Sequence, residues 1–131
     1  VKDQLACRVN NNGINKILLL ATEKCVPLMF FVQNTGVVQI QSGFIKKVKQ
    51  IGNWVNVFAH DFNVQINKGD IHSSWIVKKQ TDDGIVTSFE LYDRNEEKIA
   101  LIYAKRDENR NIPSKWTNLL NSILPKSVRD K

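Results

Sequence analysis

The run from Ser73 to Asp93 constrains this chain most. Two β-rich segments, Ile71–Lys79 and Ile85–Tyr92, flank a polar turn centred on Asp83-Gly84. Asp-Gly between alternating apolar runs is the strongest short-range signal for a β-hairpin. The fold must therefore contain an antiparallel pair near its middle.

The rest of the chain is read outward from that hairpin. Residues Asn11–Lys24 predict a helix, with Asn12 as N-cap and Ile14, Ile17, Leu18, Ala21 and Cys25 on one face at helical spacing. Pro27 marks its exit. Leu28–Gln33 reads as an apolar strand and Val37–Ile40, Phe44–Gln50, Trp54–Phe58 and Phe62–Ile66 as further short strands, with turns at Asn34-Thr35-Gly36, Gly52, Ala59-His60-Asp61 and Asn67–Asp70. Lys98–Lys105 follows the hairpin after a turn at Asp93–Glu96. Asp107–Asn111 reads as a polar loop. Pro113 opens a second helix with Trp116, Leu119, Leu120 and Ile123 as its buried stripe, Pro125 ends it, and Lys126–Lys131 reads as a loose tail. The expectation is one α+β domain over residues 1–131. It is an antiparallel meander of about seven strands with an N-terminal and a C-terminal helix.

Composition excludes several classes. The 131 residues are 42% hydrophobic, enough for one ordinary core. No apolar run approaches the ~18 residues of a membrane-spanning helix. No secretory signal is visible, and a start at Val1 without Met reads as a cut from something longer. Cys7 and Cys25 lack metal spacing; a single disulfide between them is the alternative to free thiols of a cytoplasmic protein, which is the reading preferred here. His60 and His72 have no partner at ligand spacing, so no metal site is expected. There is no Gly-rich phosphate loop, and Ser73-Ser74 lacks a nucleophile-elbow context. Asp61, Asp82 and Asp83 read as turn residues, and Trp54, Trp75 and Trp116 as core aromatics. No catalytic constellation emerges.

The net charge of +6 favours anionic partners. Lys46, Lys47 and Lys49 form one cluster, Lys78 and Lys79 a second, and Lys105 and Arg106 a third. Each is readable as a solvated strand edge or as a contact for a carboxylate.

An ordered set of segments carries more than any single one. Leu28–Gly36, Val38-Gln39-Ile40 with Gly43, Gly52–Phe58, Phe62-Asn63-Val64, the hairpin, Ile99–Arg106 and Trp116 follow one another in a recognisable order. The chain resembles the bacterial hemin-degrading factor family, also called hemin transport proteins, over nearly its whole length. It is similar to the carboxy-terminal half of those two-half proteins.

The resemblance implies intracellular haem handling after uptake: transfer, storage or degradation that releases iron. This chain would form part of the haem pocket wall. The axial histidine and the opposing arginine of the family lie outside it, and neither His60 nor His72 inherits the iron-binding role. Expected partners are haem, the amino-terminal half of the same protein, and a haem importer or reductase, with no nucleic acid and no membrane span. The resemblance carries Tyr103, Arg106, Lys79 and Phe31 over as haem-binding residues. Arg and Lys would hold propionates, the Tyr hydroxyl would add a donor, and Phe31 would pack on the porphyrin.

Each has a second reading from the residues alone: Tyr103 as a sheet-face aromatic, Lys79 as an edge lysine, Phe31 as core, Arg106 as a surface arginine. Departures from the family pattern fall at Lys78-Lys79-Gln80, His60, Thr35 and Ala104. The alternative function is a non-catalytic basic module for nucleic acid or acidic lipid, although no RNA-binding strand motif is present.

Overall fold

The computed structural model describes residues 4–34, 36–82, 84–106, 109 and 112–124. Alternating apolar positions produce nine strands among these residues, and two segments with helical spacing produce helices. In chain order they are β1 (Gln4–Val9), α1 (Gly13–Glu23), β2 (Leu28–Asn34), β3 (Val37–Gly43), β4 (Ile45–Ile51) and β5 (Trp54–Ala59). After these come β6 (Asn63–Asn67), a 3-10 turn at Lys68–Asp70, β7 (Ser73–Thr81), β8 (Gly84–Tyr92), β9 (Lys98–Ala104) and α2 (Ser114–Ile123).

The strands form two antiparallel sheets. The larger runs β1-β7-β8-β9-β2-β3, and the smaller runs β4-β5-β6. Gly43 divides them. Its φ of 154° suits glycine, and a Cβ there would approach the Phe62 ring at 3.3 Å.

One face of the larger sheet is the core. Ile76, Phe89, Leu91, Ala100, Ile102, Leu28 and Phe30 point into it, at alternate positions of their strands. The helices and the smaller sheet cover that face. Trp116 of α2 is fully buried and donates from Nε1 to the Thr87 carbonyl at 2.9 Å. Phe30 meets Phe62 edge-on at 6.1 Å between ring centres. Gly13 opens α1 against Phe89, where a Cβ would lie 3.6 Å from the ring.

The sheet-dominated α+β architecture with two helices is as the alternation predicts, and both thiols are free. The single seven-stranded meander is corrected to nine strands in two sheets. β1 adds to the strands expected from the sequence; β7 holds it through the register Gln4↔Lys79 to Val9↔Ser74. Asn12 is the N-cap residue of α1 as expected, but its side chain makes no capping hydrogen bond; its Oδ1 accepts from Lys68 Nζ at 2.7 Å. Cys25 leaves the helix face because its φ of 55° turns the chain out of α1, and it is exposed. Trp54 is 47% exposed on the β4–β5 hairpin, so only Trp116 is a fully buried core tryptophan. Lys46, Lys47 and Lys49 do sit on a solvated edge strand, β4. Thr35, Asp83, most of the 107–111 loop and the 125–131 tail lie outside the described residues.

Candidate functional site

Strands β7, β8 and β9 lie side by side, so residues far apart in sequence arrive at one end of the sheet. Lys79 pairs with Val86 across the hairpin. β9 runs back beside β8, with Phe89 opposite Ile102. The chain then leaves β9 at Ala104 and returns toward α2. A cavity of ≈ 230 Å³ opens at this corner. Its walls are Lys79, Val86 and Ser88 on one side and Leu101, Tyr103 and Arg106 on the other. Ile112 and Trp116 close its lower side.

Three of the four residues expected from the sequence thus line one cavity, and the fourth adjoins it. Phe31 on β2 stacks on Tyr103, with ring centres 5.4 Å apart and planes inclined by 19°. The pairing Met29↔Tyr103 and Phe31↔Leu101 makes the two rings diagonal neighbours across β2 and β9. Phe31 is half-buried and faces away from the core. Lys79 is not an edge lysine, because β7 lies inside the sheet between β1 and β8.

The electrostatics suit an anion beside an apolar surface. Burial pushes the Tyr103 phenol above its ordinary pKa, and the nearby Arg106 guanidinium pulls it part of the way back. Tyr103 is therefore a neutral hydrogen-bond donor at physiological pH. Lys79 and Arg106 supply positive charge on opposite walls.

Sequence reasoning missed the most buried charged residue among those described. Glu90 is 2% exposed, on the same strand face as Ser88 and Tyr92. Ser88 Oγ donates to Glu90 Oε2 at 3.1 Å, Tyr92 donates to Glu90 Oε1 at 2.5 Å, and Lys98 Nζ lies 3.3 Å from Oε1. Burial alone would raise the carboxyl. The Tyr92 hydrogen bond, Lys98 and the charge of Lys79 outweigh it and hold Glu90 below the usual carboxylate range. Tyr92 is pushed well above the ordinary phenol range by burial and by the carboxylate it meets. The signal was present in the sequence as a polar period-two run, Ser88, Glu90 and Tyr92, interleaved with core residues Phe89 and Leu91.

His60 is exposed in the β5–β6 turn and His72 precedes β7; neither lines the cavity. No group of three or more metal-ligating side chains occurs among the described residues.

The profile of the haemin-degrading HemS.ChuX domain matches residues 1–123. The chain belongs to this family. Within the HemS/ChuX family it is 35% identical to the hemin transport protein HmuS of Yersinia pestis over 128 residues. It is 34% identical to the hemin transport protein HemS of Yersinia enterocolitica over the same length. Each match covers 98% of this chain but 37% of the relative, so the chain spans little more than a third of those proteins.

Among solved structures of the family, ChuS, an Escherichia coli heme oxygenase, superposes with a TM-score of 0.85 at 34% identity. That superposition covers 95% of this chain and 38% of ChuS. Holo-PhuS, a heme-binding protein from Pseudomonas aeruginosa, superposes at 0.84 with 32% identity over 90% of this chain and 34% of PhuS. ChuX, at 11% identity and a TM-score of 0.73, shares the fold. No helix among the described residues is long and apolar enough to cross a membrane.

Proposed function

We propose that this chain forms one wall of a haem pocket in a protein that handles haem inside the cell after uptake. The observation that carries this reading is the convergence of Lys79, Tyr103 and Arg106 on one cavity, with Phe31 stacked on Tyr103 beside it. Haem is a flat apolar disc with two carboxylates on one edge. Cations in the cavity match the carboxylates by charge-assisted hydrogen bonds. The half-buried aromatic pair and Leu101 match the disc.

Size supports the same assignment. Pockets that enclose whole ligands measure about 300–1,000 Å³. A cavity of ≈ 230 Å³ takes only an edge of a porphyrin, which suits its propionate side. The remainder of the haem lies over the sheet face and against a second wall, assigned to the amino-terminal half of the full-length protein. The axial histidine belongs to that part as well, since neither His60 nor His72 lines the cavity.

Haem itself supplies the redox chemistry when bound. The residues of this chain bind its carboxylates, hold Tyr103 protonated as a donor, and present an apolar face that excludes water. These roles serve transfer, storage and degradation alike. The relatives described as hemin transport proteins and as a heme oxygenase support haem as the ligand. A cytoplasmic location, and an importer or reductase as partner, follow from that assignment.

Hemin titration followed by the Soret band tests the reading. The chain would be compared with a form extended upstream by about fifty residues, roughly one helix pair at helical rise. A sharp, saturable band in the extended form alone is expected. No band in either form would remove haem as the ligand of this wall.

A further inference from the structure

We infer that Glu90 is a positioning residue that commits the Ser88 hydroxyl as an acceptor toward the cavity, so that ligand carboxylates are received by the cationic groups Lys79 and Arg106 and not by Ser88. This inference rests on the haem-pocket reading for its consequence but not for its geometry.

Ser88 is 5% exposed and lines the cavity, while Glu90 lies behind it on the same strand face. A serine hydroxyl has one hydrogen to donate and two lone pairs, and an ionised carboxylate only accepts. The 3.1 Å contact between Ser88 Oγ and Glu90 Oε2 therefore runs in one direction, from serine to glutamate. With its hydrogen committed, Ser88 offers the cavity only lone pairs. A carboxylate, itself only an acceptor, is repelled there, and a donor such as a bound water is accepted.

The groups facing Glu90 keep it ionised. They are Tyr92 on β8, Lys98 at the start of β9 and, through space, Lys79 on β7. Trp75 and Leu101 flank it on the neighbouring strands and contribute no hydrogen-bond donor to it. Glu90 thus leaves an accepting spot at Ser88 between the cations on the two walls, Lys79 and Arg106. The propionates of a porphyrin edge are then received by Lys79 and Arg106 and not by Ser88.

Neutron diffraction from deuterated protein without ligand tests the geometry. A deuteron between Ser88 Oγ and Glu90 Oε2 is expected, and one pointing into the cavity would overturn the inference. The consequence is tested by a double-mutant cycle of Ser88→Ala and Glu90→Gln, reading hemin and hemin dimethyl ester affinities on the full-length protein. The amide introduced by E90Q can donate to Ser88 and free the serine hydrogen for a propionate. E90Q should therefore tighten hemin about tenfold when Ser88 is present, the scale of one hydrogen bond to a charged group. S88A alone should change hemin affinity less than about twofold on the same scale.

The dimethyl ester, which has no carboxylate, should respond to neither change. An equal gain from E90Q with and without Ser88 would mean that only charge acts, and would overturn the inference. So would a tenfold loss in S88A alone, which would show that Ser88 already donates to the ligand. If wild-type protein showed no saturable hemin binding, the haem reading would fail, and the neutron map would still decide the role of Glu90.

Discussion

Phe31 and Tyr103 stack at 5.4 Å although 72 positions separate them in the chain (103 minus 31). The pairing of β2 with β9 brings them together, and that pairing joins the first hairpin of the larger sheet to the last strand. The aromatic patch therefore exists only in the assembled sheet. It is a product of long-range register, not of local sequence.

Phe31→Ala should lower stability by about 2 kcal/mol. Full burial of a Phe makes truncation worth about 3–5 kcal/mol, and Phe31 is only half-buried. Hemin affinity should fall as well, while Tyr103→Phe should keep the stacking and lose only the hydroxyl. Thermal melts and Soret titrations of both variants separate packing from hydrogen bonding. Equal loss of hemin binding in the two would argue that the ring of Phe31 has no role beyond supporting Tyr103.

Arg106→Ala and Lys79→Ala should each weaken hemin by about 10–100-fold, the scale of one charge-assisted hydrogen bond. Arg106→Lys should recover only part of the loss, because an ammonium cannot form the two-pronged contact. Hemin dimethyl ester should bind all three variants like wild type. Loss of ester binding in step with hemin would show that the substitutions disturb the fold and not a carboxylate contact.

Tyr92→Phe should destabilise the protein by about 1.5–3 kcal/mol at neutral pH, since it removes a hydrogen bond to a buried carboxylate. The pH dependence follows from the two shifts. Glu90 has a folded pKa below its ordinary 4.5, so its contribution is full above that value and is lost as pH falls through the folded pKa. Tyr92 is shifted the other way from 10.0. Its contribution is full below pH 10 and is lost as pH rises beyond it toward the folded value. Denaturant midpoints across pH would show both limbs, and Y92F should flatten the alkaline one.

Cys25→Gly should raise stability by about 1 kcal/mol. Cys25 sits just past α1 with φ of 55°, in a turn where Val26 N–H reaches the Ala21 carbonyl at 2.9 Å and Cys25 N–H the Thr22 carbonyl at 3.4 Å. That is the left-handed helix ending that glycine occupies without a Cβ penalty. Urea unfolding of C25G checks the sign; a decrease would mean that contacts of the thiol outweigh the backbone strain.

Trp116→Phe should cost about 1–3 kcal/mol by leaving the Thr87 carbonyl without its indole donor. Trp116→Ala should cost about 3–5 kcal/mol and enlarge the cavity it helps to close. A crystal structure of W116A with unchanged cavity walls would show that α2 does not shape the site.

Much of this is legible in the sequence, for identifiable reasons. The hairpin of β7 and β8 can be placed because Asp-Gly and period-two alternation act locally. The stripe of Trp116, Leu119 and Leu120 can be read because helical spacing is local as well. The division into two sheets is not legible, since only the neighbours of a strand decide which sheet it joins. Trp54 reads as core because aromatic residues usually are, yet it sits on a hairpin tip beside Ile51 and stays exposed. The four expected site residues emerge through ordered resemblance, and their convergence requires the β7-β8-β9 order. Glu90 is easily passed over because a charge inside a strand reads as solvent-facing until its partners Ser88, Tyr92 and Lys98 are seen around it.

The β8 strand carries no cation to the cavity, yet it separates the two strands whose residues do. Lys79 stands on β7, Arg106 just beyond β9, and adjacent strands lie about 4.7–4.9 Å apart. The strand order therefore keeps the two cations on separate strand ends, with β8 between them. A guest with differently spaced charges would therefore meet both the strand order and the side chains as constraints.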